Sequence, residues 1–316
     1  MLPFEVTILG SSSATPTATR HPTAQVLNIH ERFFLLDCGE ATQIQLRRYK
    51  FKIQRIDHIF ISHLHGDHYL GLPGLLGTMH LLGRDKKLHL YSPPGLKEII
   101  DTNHYHSKTF LKYDLEFHVL ESKSPAPLKD GVRTLGRTRI YEDNKLTVET
   151  IPMNHRIPCY GFLFREKEPL RNIIGEKMVE YTIPVEKISG IKKGEDFISS
   201  DGKQISNSEL TLPPHSSRSY AYCSDTLYNE TFIEQIKNVN LLYHEATFAE
   251  DKAERAIETH HCTAKQAGAI AQKANVEKLI IGHYSARYKD LNVLLNEAKQ
   301  IFSNTVLAIE GETYRV

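Results

Sequence analysis
Apolar and polar positions alternate over residues 4–9, and short apolar-rich runs follow at 25–29 and 33–36, which predicts three short strands near the N-terminus. Turn-forming Ser, Thr and Pro residues and the pair His30-Glu31 separate them. The spacing then becomes helical over 40–48, and Arg47-Arg48 favour a helix C-terminus there. Alternation resumes over 56–61 and runs directly into Ser62-His63-Leu64-His65-Gly66-Asp67-His68, with Asp67 expected near the start of the next helix. Further strands are predicted at 146–151, 220–223 and 278–281. These lead into Asn154-His155, Ser224-Asp225 and Gly282-His283. Helices with an apolar stripe are predicted at 229–237, 263–274 and 291–302, placed to cover the sheet faces. Four strands thus each end in a polar candidate residue, the pattern of a scaffold that gathers ligands at one sheet edge. The fold expected is α+β, a four-layer αββα sandwich formed by one domain spanning 1–316.

The chain of 316 residues is 40% hydrophobic, enough to bury a sizeable core. Its formal net charge of +1 offers no global attraction to nucleic acid, so any RNA contact must come from local basic patches. Cys38, Cys159, Cys223 and Cys262 form no Cys-x-x-Cys pair, which argues against a zinc knuckle or a secreted disulfide framework and predicts four small buried residues. Residues 2–9 lack a basic region followed by a long apolar run. No stretch approaches the roughly 20 apolar residues of a membrane span, so the expected location is the cytoplasm.

The densest chemistry lies at residues 63–68. Residues two apart in an extended segment point the same way, so His63 and His65 share one cation while Asp67 and His68, displaced along the turn, reach toward a second. Imidazole and carboxylate suit zinc and its neighbours, and Gly66 relieves the backbone between the two pairs.

The run His63-Leu64-His65-Gly66-Asp67-His68-Tyr69-Leu70-Gly71-Leu72-Pro73-Gly74 resembles the signature of the metallo-β-lactamase fold superfamily, and within it the short form of tRNase Z. The resemblance spans the chain. It includes Gly10-Ser11-Ser12-Ser13-Ala14-Thr15-Pro16, Leu36-Asp37-Cys38-Gly39-Glu40-Ala41-Thr42-Gln43 and Pro152-Met153-Asn154-His155. Further stretches are Tyr222-Cys223-Ser224-Asp225-Thr226, His244-Glu245-Ala246-Thr247-Phe248, His261-Cys262-Thr263-Ala264 and Gly282-His283-Tyr284-Ser285-Ala286-Arg287-Tyr288.

Carried over residue by residue, the resemblance implies two Zn2+ per chain. His63, His65 and His155 would hold one, Asp67, His68 and His283 the other, and Asp225 would bridge both. It implies an endoribonuclease that removes the 3′ trailer from precursor tRNA after the discriminator nucleotide, leaving a tRNA 3′-hydroxyl and a trailer 5′-phosphate. Asp67 is then the general base, His261 the proton donor to the leaving oxygen, and Glu245 its orienting carboxylate. Spacing alone does not separate His260 from His261; the similarity of Cys262-Thr263-Ala264 to the family's His-Ser-Thr-Ala selects His261. Cys262 in place of Ser, and Glu310-Gly311-Glu312 in place of a family Asp-Gly pattern, are departures that spare every implied ligand. The family also implies a homodimer.

Residues 169–214 stand apart. They contain Gly175, Gly190, Gly194 and Gly202, the pair Lys192-Lys193, and Pro184 placed to start a short helix that Gly190 would end. Between residues 165 and 193 there are seven basic residues against five acidic ones. On its own this reads as a solvated surface excursion; the resemblance implies a protruding tRNA-binding arm, with Lys192 and Lys193 as candidate substrate contacts. The alternation of Arg47, Arg48, Lys50, Lys52 and Arg55 with Tyr49 and Phe51 reads mainly as a basic helix end and its connection, with phosphate contact and stacking as the other reading. His21, His30, His58, His80, His89, His104, His106, His118 and His215 have no ligand-like context.

Overall fold
A computed structural model describes residues 2–120 and 138–316. The predicted strands, joined by others, pair into two seven-stranded sheets. Six strands of the first are β1 (Phe4–Gly10), β2 (Ala24–Ile29), β3 (Arg32–Leu36), β4 (Ile56–Phe60), β5 (Leu88–Ser92) and β6 (Leu115–Val119). The second contains β7 (Arg139–Glu142), β8 (Leu146–Pro152), β9 (Tyr160–Glu166), β10 (Ser219–Cys223), β11 (Leu241–Glu245), β12 (Lys278–Gly282) and β13 (Thr305–Leu307), and β14 (Thr313–Arg315) returns to the first. The orders are β14-β1-β2-β3-β4-β5-β6 and β13-β12-β11-β10-β9-β8-β7. Strands β3 to β6 are parallel neighbours, as are β10 to β13. Parallel strands deliver their following loops to one edge, and His63 to His68, Asp225 and His283 lie in such loops, after β4, β10 and β12.

Aromatic residues fill the space between the sheets: the Phe60 ring lies 5.3 Å from Phe162 and 5.5 Å from Phe164. Outside the first sheet, Leu46 of helix Thr42–Arg48 and Leu72, Leu75, Leu76 and Met79 of helix Leu72–Leu81 pack with Ile59, Leu88 and Leu90. Truncating a fully buried leucine such as Leu76 to alanine costs about 2–5 kcal/mol. Helices Ala264–Lys273 and Asn292–Ile301 pair with each other and with strands of the second sheet. The architecture is the expected α+β four-layer sandwich.

The helix predicted at 229–237 is absent; only a single 3-10 turn, Ile233–Gln235, forms there. Asn229 Oδ1 accepts from the Thr231 N–H at 3.0 Å, an Asx turn that competes with helical pairing, and Asn238 adopts a left-handed φ of 58°. The four cysteines are buried and free, as expected.

The chain divides into two compact units. The first comprises 1–141, 148–164 and 219–316; the second comprises 142–147 and 165–218, wider than the 169–214 read from the sequence. Pairing at the base of the second unit explains its width, for Arg218 grips Glu166 through Nε at 3.0 Å and Nη2 at 2.7 Å, and the Lys167 N–H donates to the Lys145 carbonyl at 2.8 Å. Its own small core joins Ile183, Ile191, Phe197, Ile205 and Leu210. Pro184 caps the helix Val185–Lys192, as predicted, but the helix passes through Gly190 rather than ending there. The left-handed φ that ends a helix belongs to Gly194, at 108°.

Candidate metal centre
The loop after β4 is braced by close backbone approach. The Cys38 N–H donates to the His68 carbonyl at 2.7 Å and the Gly71 N–H to the Cys38 carbonyl at 2.9 Å. A Cβ on Gly71 would lie 2.0 Å from the Gly39 carbonyl oxygen, so only glycine permits the contact. Asp67 and His68 sit in the one-turn helix Gly66–Tyr69 that follows, as the sequence predicts.

Asp37 is the buried hub beneath this loop. Its carboxylate accepts the Ser62 N–H at 2.7 Å, the Ser62 hydroxyl at 2.9 Å, the Tyr222 hydroxyl at 2.6 Å and His68 Nδ1–H at 2.8 Å. With Nδ1 donating, His68 presents the lone pair of Nε2. Thr247 acts likewise on His283: its hydroxyl donates to Glu245 Oε2 at 2.7 Å, and its oxygen accepts from His283 Nδ1 at 3.0 Å. Ser62, its proton directed to Asp37, accepts from His63 Nδ1 at 3.0 Å. The His260 carbonyl accepts from His155 Nδ1 at 3.0 Å. Four rings are therefore locked in tautomers that aim Nε2 lone pairs inward.

These lone pairs converge. His65 Nδ1 lies 3.1 Å from both His63 Nε2 and His155 Nε2, and Asp225 Oδ2 lies 3.5 Å from His63 Nε2. On the other side His68 Nε2 and His283 Nε2 are 3.2 Å apart. They face Asp225 Oδ1 at 3.4 and 3.2 Å and Asp67 Oδ2 at 3.6 and 3.4 Å. Asp225 Oδ1 is buried and accepts no hydrogen bond. Acceptors facing acceptors repel unless a cation lies among them, so this donor set fits metal ions. Three imidazoles with one carboxylate, and two imidazoles with two carboxylates, are ligand sets suited to zinc and its neighbours.

The electrostatics agree. Burial pushes His63 well below, and His65 below, the usual histidine range, and lowers His155 to about 4, so these rings are neutral near neutral pH, the state in which an imidazole can bind a metal. Burial opposes the charged form of Asp67 and of Asp225 as well. Facing imidazoles outweigh it and hold both carboxyls low, His68 and His283 for Asp67 and chiefly His283, His68 and His63 for Asp225. His68 is raised instead: burial works against its charge, yet Asp225, Asp67 and Asp37 draw positive charge to it. A cation satisfies the same demand as that proton.

Glu245, fully buried, accepts from five groups: the N–H groups of Thr226, Thr247 and Cys262, the Thr247 hydroxyl, and His261 Nδ1 at 3.0 Å. Burial works against a charged His261 ring, but Glu245, Asp225 and Asp67 outweigh it and push its pKa up to about 9. Beside His261 opens a cavity of about 320 Å³ lined by Ser13, Thr15, Phe248, Arg255 and Arg287 among others. His261 thus stands with a carboxylate behind it and solvent space in front.

All seven predicted ligand residues come together here, with His261 and Glu245 adjoining them. Lys192 and Lys193 lie in the second unit, at the end of helix Val185–Lys192, where they line a cavity of about 290 Å³ with Arg171. Sequence reasoning missed Asp37, Ser62 and Thr247 as orienting groups, and the Ala14 N–H, which donates to Asp67 Oδ2 at 2.7 Å. Their only signal was position inside the quoted stretches.

A family model described as "Anti-Pycsar protein Apyc1" matches residues 4–171. A protein named Ribonuclease Z from Bacteroides thetaiotaomicron is 50% identical over 309 residues, covering 98% of this chain and 94% of its own. Among solved structures, the short form of human tRNase Z is 26% identical with a TM-score of 0.71, covering 99% of both chains. The metallo-β-lactamase fold protein YhfI from Bacillus subtilis, at 19% identity and a TM-score of 0.67 over the full length of both chains, shares the fold. The chain belongs to the ribonuclease Z family with the metallo-β-lactamase fold, and its residues 4–171 fall within the sequence family described as Anti-Pycsar protein Apyc1.

Proposed function
We propose that this chain is a zinc-dependent endoribonuclease that removes the 3′ trailer from precursor tRNA. It cuts after the discriminator nucleotide, leaving a 3′-hydroxyl on the tRNA and a 5′-phosphate on the trailer. The observation that carries this reading is the convergence of locked imidazole lone pairs on Asp225 and Asp67, in a chain half identical to a protein named Ribonuclease Z. Family membership implies metal ions at this cluster. In the finer reading there are two Zn2+. His63, His65 and His155 would hold one and Asp67, His68 and His283 the other, with Asp225 shared between them.

Two bound cations neutralise phosphate oxygens and acidify water near neutral pH. The chain's own residues supply the rest. Asp67, fixed by the Ala14 N–H, accepts the proton of the attacking water. As water oxygen bonds to phosphorus and the bond to the ribose 3′-oxygen breaks, His261 delivers the proton that this oxygen needs. Glu245 behind the ring keeps it charged until that moment. The second unit would be the arm that grips the tRNA body, with Lys192 and Lys193 against phosphates, and two copies would pair so that one subunit's arm serves the other's centre. Cytoplasmic residence follows from the substrate; among the described residues no helix is long and apolar enough to cross a membrane.

Cleavage of a precursor tRNA with a mapped 3′ end tests the reading. The expected product ends at the discriminator with a 3′-hydroxyl. A metal-loaded protein that leaves the precursor intact, or cuts elsewhere, sinks it.

A further inference from the structure
Strands β5 and β6 pair in parallel with His89 opposite Glu116 and Tyr91 opposite His118. The period of two puts all four on one face, while Leu88 and Leu90 turn to the opposite face and its core. Three of them converge: His89 Nδ1 lies 3.0 Å from His118 Nε2, and Glu116 Oε1 lies 3.6 Å from the same nitrogen. We propose that His89, Glu116 and His118 form an additional binding site for a divalent transition cation such as zinc, sharing no residue with the centre around Asp225.

Ligand atoms about 2.0–2.1 Å from a tetrahedral zinc lie roughly 3.3 Å from one another, and the observed 3.0 and 3.6 Å bracket that spacing. The rings are held in place before any ion arrives. His118 stacks on Tyr91 with centroids 4.4 Å apart, and His89 stacks on His58 at 4.8 Å. Lys87 Nζ binds Glu116 Oε2 at 2.7 Å, which orients the carboxylate with Oε1 toward His118 and Oε2 3.9 Å from His89 Nδ1. Side-chain exposures of 27%, 42% and 33% for His89, Glu116 and His118 leave the site open to an ion from solution. Burial also holds His118 below the usual histidine range, so its lone pair is available near neutral pH.

The test is a zinc titration of the full chain, its main centre already saturated, against a chromogenic zinc chelator. One further equivalent is expected, with affinity at least about tenfold weaker in both His89→Ala and His118→Ala. Lys87→Met should strengthen it, because that change removes the cation competing for Glu116. In 15N-histidine NMR, the His89 Nδ1 and His118 Nε2 signals should move with the added zinc. The proposal is overturned if no further equivalent binds, or if the extra equivalent survives both histidine substitutions unchanged; either result would leave the pair as a plain imidazole hydrogen bond.

Discussion

Ala14, in the left-handed region at φ 57°, donates its N–H to Asp67 Oδ2 at 2.7 Å, so a backbone donor from the N-terminal segment aims the carboxylate given the role of base. Glu310 pins that segment. Its carboxylate accepts the His21 N–H at 2.7 Å, His21 Nδ1 at 2.7 Å, the Ser11 N–H at 3.3 Å and Gln45 Nε2 at 3.0 Å. Replacing Glu310 by Ala strips charge-assisted bonds worth about 1.5–3 kcal/mol each and frees the loop. We expect a lower melting temperature together with roughly tenfold slower single-turnover cleavage at unchanged metal content. Lower melting with an unaltered rate would confine Glu310 to a structural role.

Asp67→Ala removes the proposed proton acceptor and one proposed ligand at once, while tRNA affinity should reside mainly in contacts outside the metal centre. The expected loss in single-turnover rate is about 1,000-fold or more, with the precursor dissociation constant changed by no more than about fivefold. Near-normal cleavage at full metal occupancy would show that the assigned role is wrong.

Much of this site was legible because it is local: the His63 to His68 run and the polar residues after β8, β10 and β12 all follow short apolar-rich runs that read as strands. What stayed hidden is the second layer, since Asp37 reaches Ser62, His68 and Tyr222 across long stretches of chain. Thr247 acquires its role by standing between Glu245 and His283, which come from different strands. His89 and His118 lacked context for a related reason: their meeting depends on the register of β5 against β6, which neither run encodes alone. Local chemistry also misled, for the apolar spacing at 229–237 favours a helix that the Asn229 side chain interrupts.

His261→Ala should slow the chemical step by roughly 100-fold to 10,000-fold, the usual contribution of a general acid, while leaving zinc content intact. Glu245→Gln should follow it in direction, because an amide in the same place cannot sustain the charged ring and leaves buried donors poorly matched. Metal analysis beside single-turnover rates checks both. Loss of zinc from His261→Ala would make this residue a ligand and overturn its assignment.

Elemental analysis of zinc-reconstituted protein should find two equivalents at the main centre, counted in the His89→Ala background so that the additional site does not contribute. Chelation should lower the melting temperature by about 5 °C or more, since free zinc at 100 times its dissociation constant stabilises the folded state by about 2.7 kcal/mol. The physical source is the crowding of polar atoms: without metal, His68 Nε2, His283 Nε2 and Asp225 Oδ1 lie within 3.4 Å of one another with only a proton on His68 to relieve them. A single equivalent after reconstitution would remove the two-metal reading.

The second unit is best tested by charge rather than by deletion. Excising 175–194 would remove Ile183 and Ile191 from its small core and unfold what remains, whereas Lys192 and Lys193 project from a helix end whose backbone can stay in place. The Lys192 carbonyl still accepts the Arg171 N–H after such a substitution, which changes only the side chain. A Lys192→Glu, Lys193→Glu variant should lose about tenfold in kcat/KM for precursor tRNA at physiological salt and show a shallower salt dependence, each lost phosphate contact lowering the slope by roughly 0.7–0.9. Hydrolysis of a chromogenic phosphodiester should be unchanged, because so small a substrate has no tRNA body for these lysines to grip. Equal losses on both substrates would point to damage at the metal centre, and unchanged tRNA cleavage would take these lysines out of substrate binding.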